Sequence, residues 1–369
     1  LTANQMKVEF RPFMLFGCNF TNITLVDSTL FASNNPMIIV YQNNFNNIVL
    51  NSSILANFQK YSPPVPLPDN FNFVMNPISK VQIFKGYNSV FQVLFDMTVL
   101  KITPFQPQGI TFFLDFENNT LLDISSNNGT VLIEASDLSL VGTIVTILYN
   151  TFSRVVISTD KSFDLIGISE VTSAIVQMNS MVNITGKGNS LSVTSSTINL
   201  LLIDSNWNNN FNQTASYYIQ SAICTVITIH NDTTLNISSE SSWMQIDCGL
   251  FIGNITIQTS SFQNMLVSST PGKLLALNFI RINVQKTSKD VGMGNVTITD
   301  SVFSNITLSK TRQGFIKGVF KNPMLLFTLS NTNILLYNNV FKSFQNYPDD
   351  KIMSISAPTI MIDTCNFLN

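Results

Sequence analysis

Reactive side chains are few and far apart in this sequence. The only histidine is His230, in Ile-His-Asn, and none of the four cysteines falls near it at a zinc spacing. Asp349-Asp350 is the only adjacent carboxylate pair. Glycoside hydrolysis needs two carboxylates held across one bond, and nothing in the spacing aims a second pair at a common point. Gly186-Lys-Gly188 is too short for a phosphate loop and reads as a turn. No metal or cofactor is implied.

The cysteines carry more information. Cys224 and Cys248 lie 24 residues apart. If the chain coils with about that period, the two are neighbours on stacked coils, roughly 4.8 Å apart. They would form a disulfide or two stacked thiols in a dry core. Cys18 and Cys365 share the phrase Cys-Asn-Phe-x-Asn near opposite ends of the chain. They are expected at one corner of the coil but too far apart to pair, and so are candidates for bonding a neighbouring segment. Twelve Asn-x-Ser/Thr sequons are present, against roughly nine expected by chance. Asn51, Asn118, Asn128, Asn212 and Asn231 read as turns and are the preferred glycan acceptors. Asn22, Asn183 and Asn305 are read as inward-facing and unable to carry one.

These positions are organised by a repeated frame. In Ile298–Ile306 an aliphatic residue is followed by an aromatic at the sixth place and Asn at the eighth. The aromatic place holds Phe20, Phe45, Trp207, Phe262, Phe303, Phe341 and Phe367, with Met181 in one copy. The Asn place holds Asn22, Asn47, Asn183, Asn209, Asn264, Asn305 and Asn369, with Ser343 in one copy. Successive aromatics fall 25 or 26 residues apart where no loop intervenes. Units of that length, rich in Ile, Val, Thr, Phe and Asn, suit short strands and exclude a helical solenoid. The expected fold is all-β: a single right-handed parallel β-helix over residues 1–369, of about 15 coils with inserted loops. Like side chains would stack from coil to coil, giving an aromatic column and an Asn ladder. Asp204 and Asp300 share one place in the frame, where a carboxylate row could hold Ca²⁺, but Gln42, Met178 and Thr259 fill it elsewhere.

The chain is 45% hydrophobic and 11% charged, with net charge −2. The core is ample, and no basic face exists for nucleic acid. No run of 18 apolar residues is present, so no membrane-spanning helix is expected. Residues 57–70 are a proline-rich excursion from the rod, carrying Pro63, Pro64, Pro66 and Pro68. The sequence opens at Leu1 and stops inside a copy of the frame, so it reads as a window on a longer or processed polypeptide.

On the frame and its spacing the chain resembles the pectin-lyase-like class of right-handed β-helices. It is also similar to the long repeat-bearing surface proteins of some protists. The first resemblance implies polysaccharide lysis or hydrolysis. The hydrolase members carry Asn-x-Asp, Asp-Asp, Gly-His-Gly and Arg-Ile-Lys. Here His230 lacks flanking Gly, and Arg281-Ile-Asn283 departs at its last residue. The expected function is therefore a structural or adhesive extracellular glycoprotein segment: a rod, filament unit or contact surface whose partners are other chains or copies of itself. The alternative is a carbohydrate-active or carbohydrate-binding rod, with residues such as Tyr217-Tyr218 stacking sugars.

Overall fold

The computed structural model describes residues 13–33, 38–58, 80–85, 89–95, 98–102, 113–126, 131–135, 144–158, 163–186, 188–208, 214–239, 243–268, 280–284, 294–309, 325–329, 332–343 and 353–368. Most of the proline-rich stretch lies outside them, as do Asn128, Asn209, Asn212 and Asn369. The described residues form a right-handed parallel β-solenoid of thirty strands. Each circuit has three faces, and strands pair in parallel with those of the circuits before and after. Such crossovers are right-handed because twisted strands pack back on one another only that way.

The second face carries an unbroken ladder. It begins with Asn19–Val26, Asn44–Asn51, Ser89–Phe95, Thr120–Ser126 and Thr151–Ile157. It continues through the second half of Ser173–Thr185, the end of Gly188–Asn208, Thr233–Ser239 and Ser261–Ser268. Val302–Ser309, Val340–Lys342 and Asn366–Leu368 complete it. That makes twelve circuits, which corrects the expected fifteen. From Phe20 to Phe367 is 347 residues in eleven steps, about 32 per circuit. Loops between circuits lengthen the mean above the 25 residues of the uninterrupted copies.

Alternation builds the core. Ile144–Leu148 and Gly294–Thr299 bury every second residue. Period two is broken by left-handed residues at two places that recur in most described circuits. Asp300 (φ 51°) turns the chain from the first face to the second, and Asn305 (φ 51°) bends the second-face strand. The bend lets Phe303 and Ile306, three apart, both point inward. Val, Ile and Phe disfavour φ > 0, whereas Asn and Asp tolerate it, so the eighth place selects Asn for its backbone. A third constraint is local. A Cβ on Gly253 would lie 1.9 Å from the Thr225 carbonyl oxygen, where the ladder slips register between Cys224 and Val226. Only glycine fits there.

The aromatic place is buried at Phe45, Phe152, Phe262, Phe303 and Phe341, but it is not one aromatic stack. Phe20 lies on Phe45 with centroids 5.1 Å apart. Phe262, Phe303, Phe341 and Phe367 form a second run at 5.1, 5.0 and 4.8 Å. Between the runs Leu121, Phe152, Met181 and Thr234 fill the column. Trp207 pairs through its backbone with Met181 and Thr234, so its expected aromatic neighbours are absent.

Candidate functional site

Two polar rows run the length of the solenoid, and their chemistry differs. The outer row is the eighth place of the frame. Asn47 Nδ2 donates to Asn22 Oδ1 (2.6 Å), Asn264 to Asn236 (2.9 Å), and Asn305 to Asn264 (2.9 Å). Asn22, Asn47, Asn183, Asn264 and Asn305 are all exposed, which corrects the inward reading of Asn22, Asn183 and Asn305. The side chain of a left-handed residue on this bend leaves the core, so these sequons face solvent. Asn51 and Asn231 are exposed as well, and Asn118 is half-buried. Asp123 and Arg154 take the same place in the fourth and fifth circuits and form an ion pair through Nε and Nη2, the latter at 2.8 Å from Oδ2. The Arg154 hydrogen bond, helped by its charge and opposed by desolvation, holds the Asp123 carboxyl below its usual range.

The inner row occupies the fourth place of the frame, at the corner between the first and second faces. Asn43, Asn119, Asn150, Asn179, Ser260, Ser301 and Asn339 are all buried there. Asn43, Asn150, Asn179 and Asn339 each tie their circuit to the one before. Asn150 Nδ2 donates to the Phe116 carbonyl at 2.9 Å, while its Oδ1 accepts from the Asn119 N–H at 2.9 Å. The Asn119 and Asn179 amides extend the chain, at 3.0 and 2.9 Å. Asn43 and Asn339 repeat the arrangement on Leu15 and Ile298. Where serine stands, its hydroxyl accepts instead, as Ser301 Oγ does from the Ser260 N–H at 3.2 Å. The sequence frame missed this row because Asn, Ser, Asp and Cys alternate in it. The recurring signal was a small polar residue two places before the aromatic.

Cys18 and Cys365 are the first and last described members of that inner row. The Cys18 N–H donates to Asn43 Oδ1 (2.9 Å), and Asn339 Nδ2 approaches Cys365 Sγ at 3.8 Å. Both are free thiols at opposite ends of the rod. Cys224 and Cys248 are buried and joined by a disulfide with Cα atoms 5.9 Å apart.

The third face carries an open cleft of about 410 Å³ beside that disulfide, lined by Glu170, Ser196, Gln220, Ser221, Asp247 and Gly249 among others. Glu170 Oε2 accepts from the Ser196 hydroxyl at 3.2 Å. Arg281 lies 3.7 Å from Asp247 on this face. Tyr218 donates to Gln220 Oε1 at 2.7 Å, and burial, with the nearby Asp247 charge, pushes its hydroxyl pKa up. Tyr217 is fully buried and donates to Asp232 Oδ1 at 3.0 Å, so it offers no ring to a sugar.

His230 stands on the first face, away from Arg281 on the third, and Asp349-Asp350 lies outside the described residues. Asp204 pairs in register with Gln177, the neighbour of left-handed Met178, and so does not share the place of Asp300. The circuit bearing Asp204 is one residue shorter at this corner. Burial raises the Asp204 pKa, and the His230 charge opposes the shift. Among the described residues no group of three His, Cys, Asp or Glu side chains converges.

Comparison of the chain with protein-family models, curated proteins and solved structures returned no match.

Proposed function

We propose that the chain is a structural or adhesive segment, a stiff rod serving as spacer, filament unit or protein-contact surface outside the cell or on its surface. The observation that carries this reading is the unbroken ladder of twelve circuits, tied at one corner by buried Asn and Ser. Each circuit is both donor and acceptor, so load applied at one end is passed along backbone hydrogen bonds. The buried disulfide favours an oxidising compartment. Exposed sequons at Asn51, Asn231, Asn183 and Asn305 supply glycan acceptors on the sides.

Two measurements test it. Antibody labelling of intact cells is expected at the surface, and glycan mapping of native protein is expected to find at least one exposed sequon occupied. Cytosolic labelling with every sequon bare overturns the proposal. A second reading, a pectin-lyase-like carbohydrate-active or carbohydrate-binding rod, is favoured by the cleft between Glu170 and Asp247. Purified protein incubated with uronic-acid and neutral glycans discriminates, since specific bond cleavage would reverse the ranking.

A further inference from the structure

The outer row carries sequons on alternate circuits. Asn183, Asn236 and Asn305 stand at the eighth place of the frame in the sixth, eighth and tenth circuits. Each begins Asn-Ile-Thr or Asn-Ile-Ser. Each Asn is left-handed, with φ of 57°, 56° and 51°. The bend turns the following Ile184, Ile237 and Ile306 into the core, where all three are buried. It leaves the amide and the hydroxyl two places on at the surface. Asn183 and Asn305 are exposed, and Asn236, Thr185, Ser238 and Thr307 are half-buried. The circuits between lack the acceptor signal. Asn209 is followed by Asn210 and Phe211, and Asn264 by Met265 and Leu266. Rungs are about 4.8 Å apart, so the three sequons recur every 9.6 Å or so, roughly two rungs, along one edge. Branched oligosaccharides are bulkier than one rung, so adjacent rungs cannot both carry one, whereas alternate rungs leave room.

We propose that Asn183, Asn236 and Asn305 carry N-linked glycans in a single line on alternate circuits. The inference rests on the extracellular rod reading above and says which edge the glycans occupy. In the transfer, Nδ2 of each Asn attacks the anomeric carbon of a lipid-linked glycosyl diphosphate. The new N–C bond replaces the C–O bond to the diphosphate, which leaves on its lipid, and Nδ2 gives up one proton. The modified amide keeps its oxygen and one N–H, and the ladder needs no more than these. Asn264 Nδ2 donates to Asn236 Oδ1, and Asn305 Nδ2 to Asn264 Oδ1, both at 2.9 Å. A glycan on Asn236 leaves its acceptor oxygen in place. One on Asn305 leaves a hydrogen for Asn264, which stays unmodified and bridges the two. The first face supplies the contrast. Asn254 and Asn295 also begin exposed sequons, but they pair in register on adjacent rungs, with Asn295 Nδ2 3.4 Å from Asn254 Oδ1. The same spacing rule admits one glycan to that pair. A line of glycans keeps other chains off the outer-row edge, so a protein contact falls on another face of the rod.

The test uses native protein, deglycosylated with peptide N-glycosidase in heavy-oxygen water, which converts each glycosylated Asn to a labelled Asp for peptide mapping. Label at Asn183, Asn236 and Asn305 is expected. The combined occupancy of Asn254 and Asn295 is expected not to exceed one glycan per molecule. In the full chain secreted from a eukaryotic host, T307A and N305G are each expected to lose the same single glycan step on a gel. N305G removes the acceptor and keeps the left-handed bend. Retention of the Cys224–Cys248 bond and of the β circular dichroism shows that both variants are folded. Bare outer-row sequons overturn the proposal, whichever other sequons are occupied. So does full occupancy of both Asn254 and Asn295, because adjacent rungs would then tolerate two glycans. A chain that labels the cell surface with Asn183, Asn236 and Asn305 bare removes the glycan line and leaves the rod reading standing.

Discussion

Asn150 and Asn264 stand on one scaffold and hold it by different means. Asn150 is buried and bonds backbone groups of the preceding circuit through both ends of its amide. Replacing it by Ala strips the Phe116 carbonyl and the Asn119 N–H of that amide in a dry corner. The expected cost is about 2–4 kcal/mol, read as a lowered denaturation midpoint. Asn264 is exposed and left-handed (φ 54°), and its bonds compete with water. Asn264→Gly keeps that backbone and is expected to cost under about 1 kcal/mol by the same measurement, whereas Asn264→Val costs more because φ > 0 strains a β-branched residue. The Asp123–Arg154 pair shows the outer row carrying charge. Its carboxyl pKa is lowered, so the pair adds stability above the ordinary value of 3.8 and loses it as pH falls through the lowered one. Carboxyl-carbon NMR titration of Arg154→Ala is expected to return Asp123 towards that ordinary value. Both groups lie at the surface, so the effect on folding is small.

At the scale of the strand, position along the rod decides what a residue is worth. Phe303 has a ring above and below it, and Phe303→Ala is expected to cost about 3–5 kcal/mol. Phe367 makes the same contact on one side only. Phe367→Ala in the isolated rod is expected to cost about 1 kcal/mol in the same unfolding assay, since half the ring is already wet. Reduction of Cys224–Cys248 opens a 24-residue loop and is expected to cost about 3 kcal/mol, measured by denaturation with and without reductant. The frame was legible in eight circuits because Phe, Trp or Met and then Asn or Ser mark them. The circuits through Ser89–Phe95, Thr120–Ser126, Thr151–Ile157 and Thr233–Ser239 escaped it. Leu121 and Thr234 fill the aromatic place there, and Asp123 and Arg154 the Asn place. The fold asks for inward volume at one place and φ > 0 at the other, and several residue types meet each demand. Spacing located the corner cysteines for the same reason: at fixed phase, the corner follows from the strand.

For the whole molecule, a stack of circuits behaves as a one-dimensional array in which each unit is held by its two neighbours. Solenoid class followed from phase alone, while circuit number did not, because loops add residues without adding rungs. Stability is then graded: interior circuits open only when a neighbour opens, whereas the first and last described circuits show one described interface each. Hydrogen exchange is expected to be slowest around Ser173–Thr185, Gly188–Asn208, Thr214–His230 and Met244–Gln258, where the strands run longest and turn corners without a break. It is expected to quicken towards Asn19–Val26 and Asn366–Leu368. Uniform protection along the chain at low concentration would contradict a linear stack, because it requires every circuit to be equally supported.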